Sequence, residues 1–225
     1  NWILQTLQNY PNIDSNIIQT NSDAGIYIEF SAYFIGRNII SDNIFASSKS
    51  AGIYCNDKLY SDNNIISENI VSNNKNYGVY LDNTVCTIYK NILTNNLNSG
   101  LYLINCASAT MTISNNQITD HKYALDIFAI ISFSSLLNIE NNYIFNNSNA
   151  FQIYSPVRIP VIKYNNIDNI SNKIIDNLSS NNIDLRLNYL GSLKSSDISS
   201  KINDYKTNNN IGTVYFIPYF DKTIS

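Results

Sequence analysis

Three acidic residues are the side chains in this chain that best suit catalysis. Glu29, Asp82 and Asp126 each lie within or directly after an alternating apolar stretch that is typical of a strand. Glycoside hydrolysis uses two carboxyl groups, about 5 Å apart for retention and about 6.5–9.5 Å apart for inversion. Glu29 and Asp82 occupy equivalent positions two repeats apart, and strand spacing puts their backbones roughly 10 Å apart. The three acids are therefore candidate catalytic residues, but they do not form a recognised catalytic set.

The only histidine, His121, is a fourth candidate catalytic residue. It lies in the sequence Asp120-His-Lys-Tyr123, where earlier repeats carry Asn, Ser or Lys in a turn, so we expect a solvated turn residue. In the catalytic alternative, His121 or Tyr123 removes the proton alpha to a uronate carboxylate, and Lys122 neutralises that carboxylate.

Metal and cofactor sites are not indicated. The chain has one His and three Cys without a CxxC motif, which gives no recognisable ligand set, and we predict no cofactor and no metal. Cys55, Cys86 and Cys106 are predicted to be small buried core residues.

Charge and hydropathy exclude some classes of partner. The net charge of -3 and the absence of a Lys/Arg cluster argue against nucleic acid. The longest apolar run, around residues 124–133, is interrupted by Asp126 and Ser132, so no membrane span is predicted. No signal peptide is visible and the sequence starts at Asn1, which suggests a processed product or a fragment of a longer chain.

A repeated unit organises the chain. It begins with Asn and closes with Gly, an apolar residue, Tyr and a second apolar residue, as in NIIQTNSDAGIYI, NIFASSKSAGIYC, NIVSNNKNYGVYL and NILTNNLNSGLYL. The leading asparagines, eroded copies included, follow at steps of 22 to 27 residues and are Asn16, Asn43, Asn69, Asn91, Asn116, Asn142, Asn166 and Asn188. Period-two alternation inside each unit predicts short strands, and stacking such units predicts a solenoid of parallel strands.

Asparagine has a structural role in this interpretation. Equivalent positions of a solenoid lie above one another, so Asn43, Asn69, Asn91, Asn116 and Asn142 are expected to stack as an amide ladder. The chain has only 7 Gly and 4 Pro, so Asn and Asp must also form the turns.

A tyrosine row is the pattern that most suggests binding. The strand after each Gly points its flanking apolar residues inward and one residue outward. In coil order, the outward set is Tyr27, Tyr54, Tyr80, Tyr102, Asp126 and Gln152. Stacked rings of this kind bind sugars or proteins. They also stabilise a sheet by cross-strand pairing, and a covering loop could bury them.

The N-[IVL]-x7-G-[IVL]-Y-[IVL] unit resembles the right-handed parallel β-helix repeat of the pectin-lyase-like superfamily, which includes pectate lyases, polygalacturonases, alginate epimerases and phage tailspikes. The resemblance covers about residues 12–190 and implies an all-β, right-handed parallel β-helix of about seven coils. It does not imply an activity. The Asp-Pro-His motif of the epimerases is absent. Arg37, Arg158 and Arg186 have no acidic cluster beside them of the kind that pectate lyases use to bind calcium.

Three segments are predicted: residues 1–11 as a cap or truncated coil, 12–191 as the β-helix, and 192–225 as a C-terminal cap of helix and strand. The cap is expected to contain a short helix with Ser196 or Asp197 as its N-cap and with Ile198, Ile202 and Tyr205 on one face. A strand over 213–217, closed by Pro218, is expected to follow.

The function predicted from sequence is a non-enzymatic extracellular or surface-exposed module that binds a polysaccharide or assembles with other subunits. The alternative is a polysaccharide lyase or glycoside hydrolase that acts on a glycan extended along the β-helix. A third hypothesis treats the chain as part of a longer spike or filament subunit.

Overall fold

The computed structural model describes residues 11–29, 32–44, 50–56, 64–106, 110–128, 136–154, 159–191 and 194–224, together with the backbone of residues 2–5. Its strands are numbered β1–β25 along the chain, and most of them are three to six residues long. Alternating apolar and polar residues, many of them β-branched, favour this extended conformation.

Three long sheets contain nearly all of these strands. Sheet 1 consists of β1 (Trp2–Gln5), β4 (Ile26–Glu29), β7 (Ala51–Asn56), β10 (Tyr77–Asp82), β13 (Ser99–Ile104), β16 (Tyr123–Ile127), β19 (Asn149–Ile153), β22 (Lys173–Asn177) and β24 (Ile202–Asn203). Sheet 2 consists of β2 (Asn12–Asp14), β5 (Phe34–Gly36), β8 (Asn64–Ser67), β11 (Cys86–Tyr89), β14 (Thr110–Ser114), β17 (Leu136–Glu140) and β20 (Val161–Lys163). Sheet 3 consists of β3 (Ile17–Gln19), β6 (Ile39–Ser41), β9 (Ile70–Ser72), β12 (Ile92–Thr94), β15 (Gln117–Thr119), β18 (Tyr143–Phe145) and β21 (Asn166–Asp168).

The strand order makes the chain a solenoid. Each strand from β1 to β19 pairs in parallel with the strand three places further along the chain, so one circuit of the three sheets is one coil. Sheets 2 and 3 have seven rungs each, which correspond to about six full turns, slightly fewer than the seven coils expected. The predicted all-β parallel β-helix is confirmed.

The core is a column of aliphatic side chains enclosed by the three sheets. Sheet 2 supplies one isoleucine per rung, and sheet 3 supplies the middle residue of each three-residue strand. Inward residues of sheet 2 include Ile35, Ile66, Ile88, Ile113 and Ile139, all fully buried. Cys55, Cys86 and Cys106 are buried, as predicted, and none of them forms a disulfide, so they fill core volume.

An asparagine ladder runs along the turn between sheets 2 and 3. Its members are Asn16, Asn38, Asn69, Asn91, Asn116, Asn142, Asn165 and Asn188. Asn91 illustrates the pattern, because its Nδ2 donates to Ile66 O at 2.9 Å, to Tyr89 O at 3.1 Å and to Asn116 Oδ1 at 3.0 Å. The predicted ladder is confirmed, and it fills each tight turn with satisfied polar atoms.

One position of the predicted ladder was wrong, because Asn38 holds the place expected for Asn43. The start of the repeat assigned to Asn166 is also off by one residue, because Asn165 is the ladder member of that coil. In the coils with the regular spacing, the ladder residue precedes the repeat Gly by nine residues, but Asn38 precedes Gly52 by 14. The second coil therefore has five extra residues before its sheet 1 strand, and this insertion placed Asn43 at the expected distance by coincidence.

Asn43 belongs to a second ladder, along the turn between sheets 3 and 1. Its members are Asn21, Asn43, Asn74, Asn96, His121 and Asn147. Asn43 Nδ2 donates to Asn74 Oδ1 at 2.8 Å, and Asn74 Nδ2 donates to Asn96 Oδ1 at 2.8 Å. Two of the three corners of the β-helix are thus built on the same amide hydrogen bond.

Both ladders stand next to left-handed backbone. The residue before each member of the first ladder has a positive φ, although only two of these residues are asparagine: Ser15, Arg37, Glu68, Lys90, Asn115, Asn141, Tyr164 and Leu187. Positive φ is unfavourable for bulky side chains. The hydrogen bonds of the following amide offset that cost at each corner.

The C-terminal segment contains the helix α1 (Ser195–Ser200) and the strand β25 (Val214–Tyr215), which pairs with β23 (Ile183–Asp184) at the end of the preceding segment. Lys194 is the N-cap and makes no side-chain cap bond, so the predicted start at Ser196 or Asp197 was wrong. Ile198 is buried, whereas Ile202 lies in β24, paired with β22. At the other end, the Trp2–Gln5 strand pairs with β4.

We predict that Asn91→Ala destabilises the fold by about 3 kcal/mol, because it leaves buried donors and acceptors of two neighbouring rungs without partners. Chemical denaturation monitored by circular dichroism measures the loss. Asn12→Ala, at an exposed position of β2, is the matched control and should lower the free energy of unfolding by less than about 0.5 kcal/mol. Equal losses for the two variants would contradict the role of the ladder.

Candidate functional site

The outer face of sheet 1 has the predicted order of residues. In consecutive rungs, the strand register aligns Tyr27, Tyr54, Tyr80, Tyr102, Asp126, Gln152, Asp176 and Asn203, and we call this column the tyrosine row. Ring centroids of successive tyrosines are 4.7, 5.2 and 4.9 Å apart. The rings therefore pack along the solenoid at nearly the spacing of the strands.

Half of the row is buried although its side chains point away from the solenoid core: Tyr54, Tyr80, Asp126 and Gln152. Tyr54 is 0% exposed and Tyr80 8% exposed, and they form a second apolar cluster, outside the solenoid core, with Ala24 and Ala51. Burial raises the pKa of Tyr80, and the pKa of Tyr27 is raised by burial and by its 2.5 Å hydrogen bond to Glu29. Tyr27, Tyr54 and Tyr80 therefore pack across strands and stabilise the sheet, which is the structural interpretation of the row.

At Tyr102 the row changes from buried tyrosines to a half-buried tyrosine that is followed by polar residues. Tyr102 is half-buried and its ring lies 4.7 Å from that of Tyr77, a residue at the start of β10. The next rung places Asp126 beside Tyr102, and the following rung ends at the half-buried Tyr154. We call Tyr77, Tyr102, Asp126, Gln152 and Tyr154 the Tyr–Asp face.

Asp126 is the most perturbed group on the Tyr–Asp face. Its side chain is 6% exposed, and burial raises its pKa to about 7, although Lys122 lowers it in part. Its Oδ1 has no hydrogen-bond partner in the part of the chain that the structure describes. The carboxyl group, in turn, contributes with burial to the raised pKa of Tyr77, of Tyr154 and of Tyr102, whose pKa rises to about 12.

A second unpartnered polar atom lies on the adjacent strand. Ser99, which is paired in register with Tyr77 and Tyr123, has a buried Oγ without a hydrogen-bond partner among the described residues. Asn56 Oδ1 is a third such atom among the described residues. Ser99 lies three residues before Tyr102, the residue in register with Asp126, so these atoms do not form one site. Buried polar groups are nearly always satisfied in folded proteins, so the unpartnered oxygen of Asp126, beside half-buried rings, indicates where a ligand could supply a missing hydrogen bond.

Further along the row, the polar groups satisfy one another. Gln152 Nε2 donates to Asp176 Oδ2 at 3.2 Å, and Asn203 Nδ2 donates to Asp176 Oδ1 at 2.6 Å. Both carboxylate oxygens of Asp176 thus accept a hydrogen bond from a neighbouring rung. The open hydrogen-bonding capacity of the row is concentrated at Asp126.

The structure does not bring the other candidate acids into a catalytic pair. Glu29 and Asp82 are each in register with Asn56, which stands between them, so their strands are two rungs, or roughly 10 Å, apart. Glu29 accepts a hydrogen bond from Tyr27, and Asp82 accepts one from Asn83 at 2.7 Å. Asp126 lies two rungs beyond the strand of Asp82. No two of these three acids are on adjacent rungs.

His121 is not the solvated turn residue that we expected. It is 4% exposed and replaces asparagine as a rung of the second ladder. Its Nδ1 lies 3.1 Å from Asn147 Oδ1, an acceptor, and its Nε2 lies 3.1 Å from Asn96 Nδ2, a donor. These partners select the neutral tautomer protonated on Nδ1. Burial and the amide donor of Asn96 at Nε2 oppose a second proton, whereas the hydrogen bond to Asn147 favours it. The pKa of His121 is lowered to about 4, mainly by burial. The burial and the hydrogen bonds of His121 do not support its role as a catalytic base.

Comparison with protein families agrees with this architecture. The family model described as "Right handed beta helix region" matches residues 3–129 and 59–211. The chain belongs to this family. Comparisons with curated proteins and with solved structures give no match for the β-helix. Among its described residues, no helix is long and apolar enough to cross a membrane, and no group of three or more His, Cys, Asp or Glu could hold a metal ion.

Sequence reasoning missed part of the Tyr–Asp face. Tyr77 stands directly before the repeat Gly, a position occupied by Ala, Ser or Tyr in neighbouring coils, and that variability hid its packing on Tyr102. Ser99 occupies the same variable position before Gly100, whereas Tyr154 follows the strand β19 and lies outside the repeated unit. The one available signal was the change from Tyr to Asp within the row at position 126, which marks the rung where packing ends.

His121 and Asp126 have opposite effects on stability between about pH 4 and pH 7. Below its ordinary pKa of 6.5, His121 binds a proton in the unfolded chain but not in the fold until about pH 4, so its contribution is lost as pH falls. Asp126 keeps its proton in the fold up to about pH 7 but loses it near pH 4 when unfolded, so its contribution is lost as pH rises.

We therefore predict that the two single variants separate these effects. The free energy of unfolding of Asp126→Asn should rise by about 2–3 kcal/mol between pH 4 and pH 6.5 relative to the wild type, because only the histidine effect remains. His121→Asn, which restores the ladder amide, should show the opposite slope. Urea denaturation at a series of pH values measures both, and parallel profiles for wild type and both variants would refute the assignment.

Proposed function

We propose that the protein is a non-enzymatic, extracellular or surface-exposed carbohydrate-binding β-helix, and that the Tyr–Asp face binds a segment of neutral polysaccharide. The observation that carries the proposal is the unpartnered, buried carboxyl of Asp126 between half-buried tyrosine rings. Sugar rings combine an apolar face with hydroxyl groups at the edge. Aromatic faces and a fixed hydrogen-bonding group suit that combination.

The arrangement of rings supports a stacking role for Tyr102 and Tyr77. Their planes are inclined by 34° with centroids 4.7 Å apart, so the two rings pack against each other as one aromatic group, and both are half-buried, which leaves part of each for contact with a sugar. Burial keeps both hydroxyls protonated, because it raises the pKa of each, and a protonated hydroxyl can donate to a sugar oxygen. Tyr154, packed 4.9 Å from Phe128, would contact the same segment one rung beyond Asp126.

The charges on this face favour a neutral glycan. Asp82, Asp126 and Asp176 all belong to the outer face of sheet 1, whereas Lys122 is the cation that acts on Asp126. A uronate carboxylate beside these acids would be repelled. Asp126, with a pKa near 7, can accept a hydrogen bond from a sugar hydroxyl or donate one to it.

The test is a glycan array followed by calorimetry with the best neutral oligosaccharide. Tyr102→Ala should weaken binding at least about tenfold through lost stacking, and Asp126→Asn should weaken it by a similar factor. Tyr102→Phe keeps the ring and should bind within about threefold of wild type. Tyr143→Ala, a surface tyrosine 42% exposed on sheet 3, is the matched control and should bind like wild type.

Two results of this experiment would contradict the proposal. A wild-type protein that binds no glycan on the array contradicts the proposal. A loss of affinity in Tyr143→Ala equal to that in Tyr102→Ala would show that binding does not use the Tyr–Asp face. Circular dichroism of every variant excludes unfolding as the cause of a loss.

A glycoside hydrolase or lyase is the second candidate, and one observation favours it. A carboxyl group with a pKa near neutrality, as burial gives Asp126, is the usual property of a general acid. Against it, the nearest acid along its own row, Asp176, is two rungs away and already accepts hydrogen bonds from Gln152 and Asn203. We expect no product release from neutral or uronate polysaccharides. Product that disappears in Asp126→Asn would establish the enzyme instead.

A further inference from the structure

The outward positions around Asp126 are mostly aromatic. Tyr102 precedes Asp126 in the same column and Gln152 follows it, each one rung away. Phe128, two residues after Asp126, is 43% exposed, and the ring of Tyr154 packs against it with centroids 4.9 Å apart. The amide nitrogen of Gln152 donates to Asp176. Asp126 is thus flanked by rings on the preceding rung and along its own chain.

Only a small ligand group can reach the open oxygen of Asp126. The side chain is 6% exposed, and its Oδ1 lacks a hydrogen-bond partner within the ranges that the structure describes. A buried acceptor without a donor is unfavourable, so a ligand that supplies the donor gains affinity there. That ligand group must also fit beside Tyr102 and Phe128 without leaving its own polar atoms unpaired.

A sugar hydroxyl meets this second requirement poorly. A hydroxyl group has one donor and two acceptor lone pairs, so donation to Asp126 leaves the lone pairs among aromatic rings. The acetamido group of an N-acetylated amino sugar has one N–H, one carbonyl and one methyl group. Its N–H can donate to Asp126 while its methyl group packs on a ring, and a tyrosine hydroxyl can donate to its carbonyl oxygen.

Tyrosine hydroxyls that suit the amide carbonyl lie near Asp126. Burial and, to a smaller extent, the Asp126 carboxyl group raise the pKa of three tyrosines, namely Tyr77, Tyr102 and Tyr154. All three hydroxyls therefore stay protonated at neutral pH and can donate. Tyr77 already bonds to Asn98, so Tyr102 and Tyr154 are the donors that we assign to the amide carbonyl.

We propose that the polysaccharide bound by the Tyr–Asp face carries 2-acetamido sugars, and that Asp126 accepts a hydrogen bond from the amide N–H of one of them. This inference rests on the proposed glycan-binding function and specifies its substrate. A bond from an N–H to a carboxylate oxygen is stronger than one to a neutral acceptor. The acetamido group therefore adds affinity beyond that of the stacked sugar ring.

Three oligosaccharides of equal length and linkage test the inference. The β-1,4-linked hexamers of glucose, N-acetylglucosamine and glucosamine carry a hydroxyl, an acetamido group and an amine at the same carbon. In calorimetry at neutral pH, the N-acetylglucosamine hexamer should bind to the wild type at least about tenfold more tightly than the other two. Asp126→Ala should reduce this preference to less than about threefold, because it removes the acceptor.

Asp168→Ala is the matched control. It removes a half-buried carboxyl group from sheet 3 and should keep the full preference for the acetylated hexamer. Circular dichroism confirms that each variant is folded. If the glycan array selects another backbone, its acetamido and hydroxyl forms are compared in the same way.

The inference and the proposed function fail in different ways. Equal binding of the glucose and N-acetylglucosamine hexamers by the wild type leaves the function standing and overturns the inference. Tighter binding of the glucosamine hexamer overturns it too, because a cation is then recognised instead of an amide. A preference that survives Asp126→Ala, or that Asp168→Ala abolishes equally, also overturns it. A wild type that binds no glycan overturns both.

Discussion

The hydrogen bond from one asparagine amide to the next is the interaction on which the rest of the structure depends. A three-sheet solenoid must turn sharply at each corner, and here the residues at those corners include Arg37, Glu68 and Tyr164 with positive φ. Their intrinsic preference opposes the turn. The ladder amide satisfies the carbonyl groups that the turn exposes inside the molecule, as Asn69 does for Ser67 and Ile35 at 2.9 Å each. The ladder asparagine that follows each residue with positive φ thus stabilises the corner, regardless of which residue has the positive φ.

Fixing the corners by a side chain leaves the outward positions of the strands free to vary. On sheet 1 this freedom produces a row that is apolar and self-packed at Tyr54 and Tyr80 but polar and unsatisfied at Asp126. On sheet 3 it produces isoleucine over four rungs and then glutamine. Neither surface contributes to the solenoid core, and both differ along the axis while the core stays constant. Such differences are where function can reside on a repetitive scaffold.

The repeat made the fold predictable, because each coil supplied an independent copy of the same pattern. The errors arose because the alignment assumed the same pattern in every coil. Asn43 fitted the ladder by its distance from Gly52, and only the side-chain hydrogen bonds show that Asn38 holds that position. His121 matched the turn by alignment, but replacing an amide by an imidazole with one donor and one acceptor preserves the ladder, which sequence pattern cannot reveal. Burial of Tyr54 depends on contacts between rows, which period-two alternation does not describe.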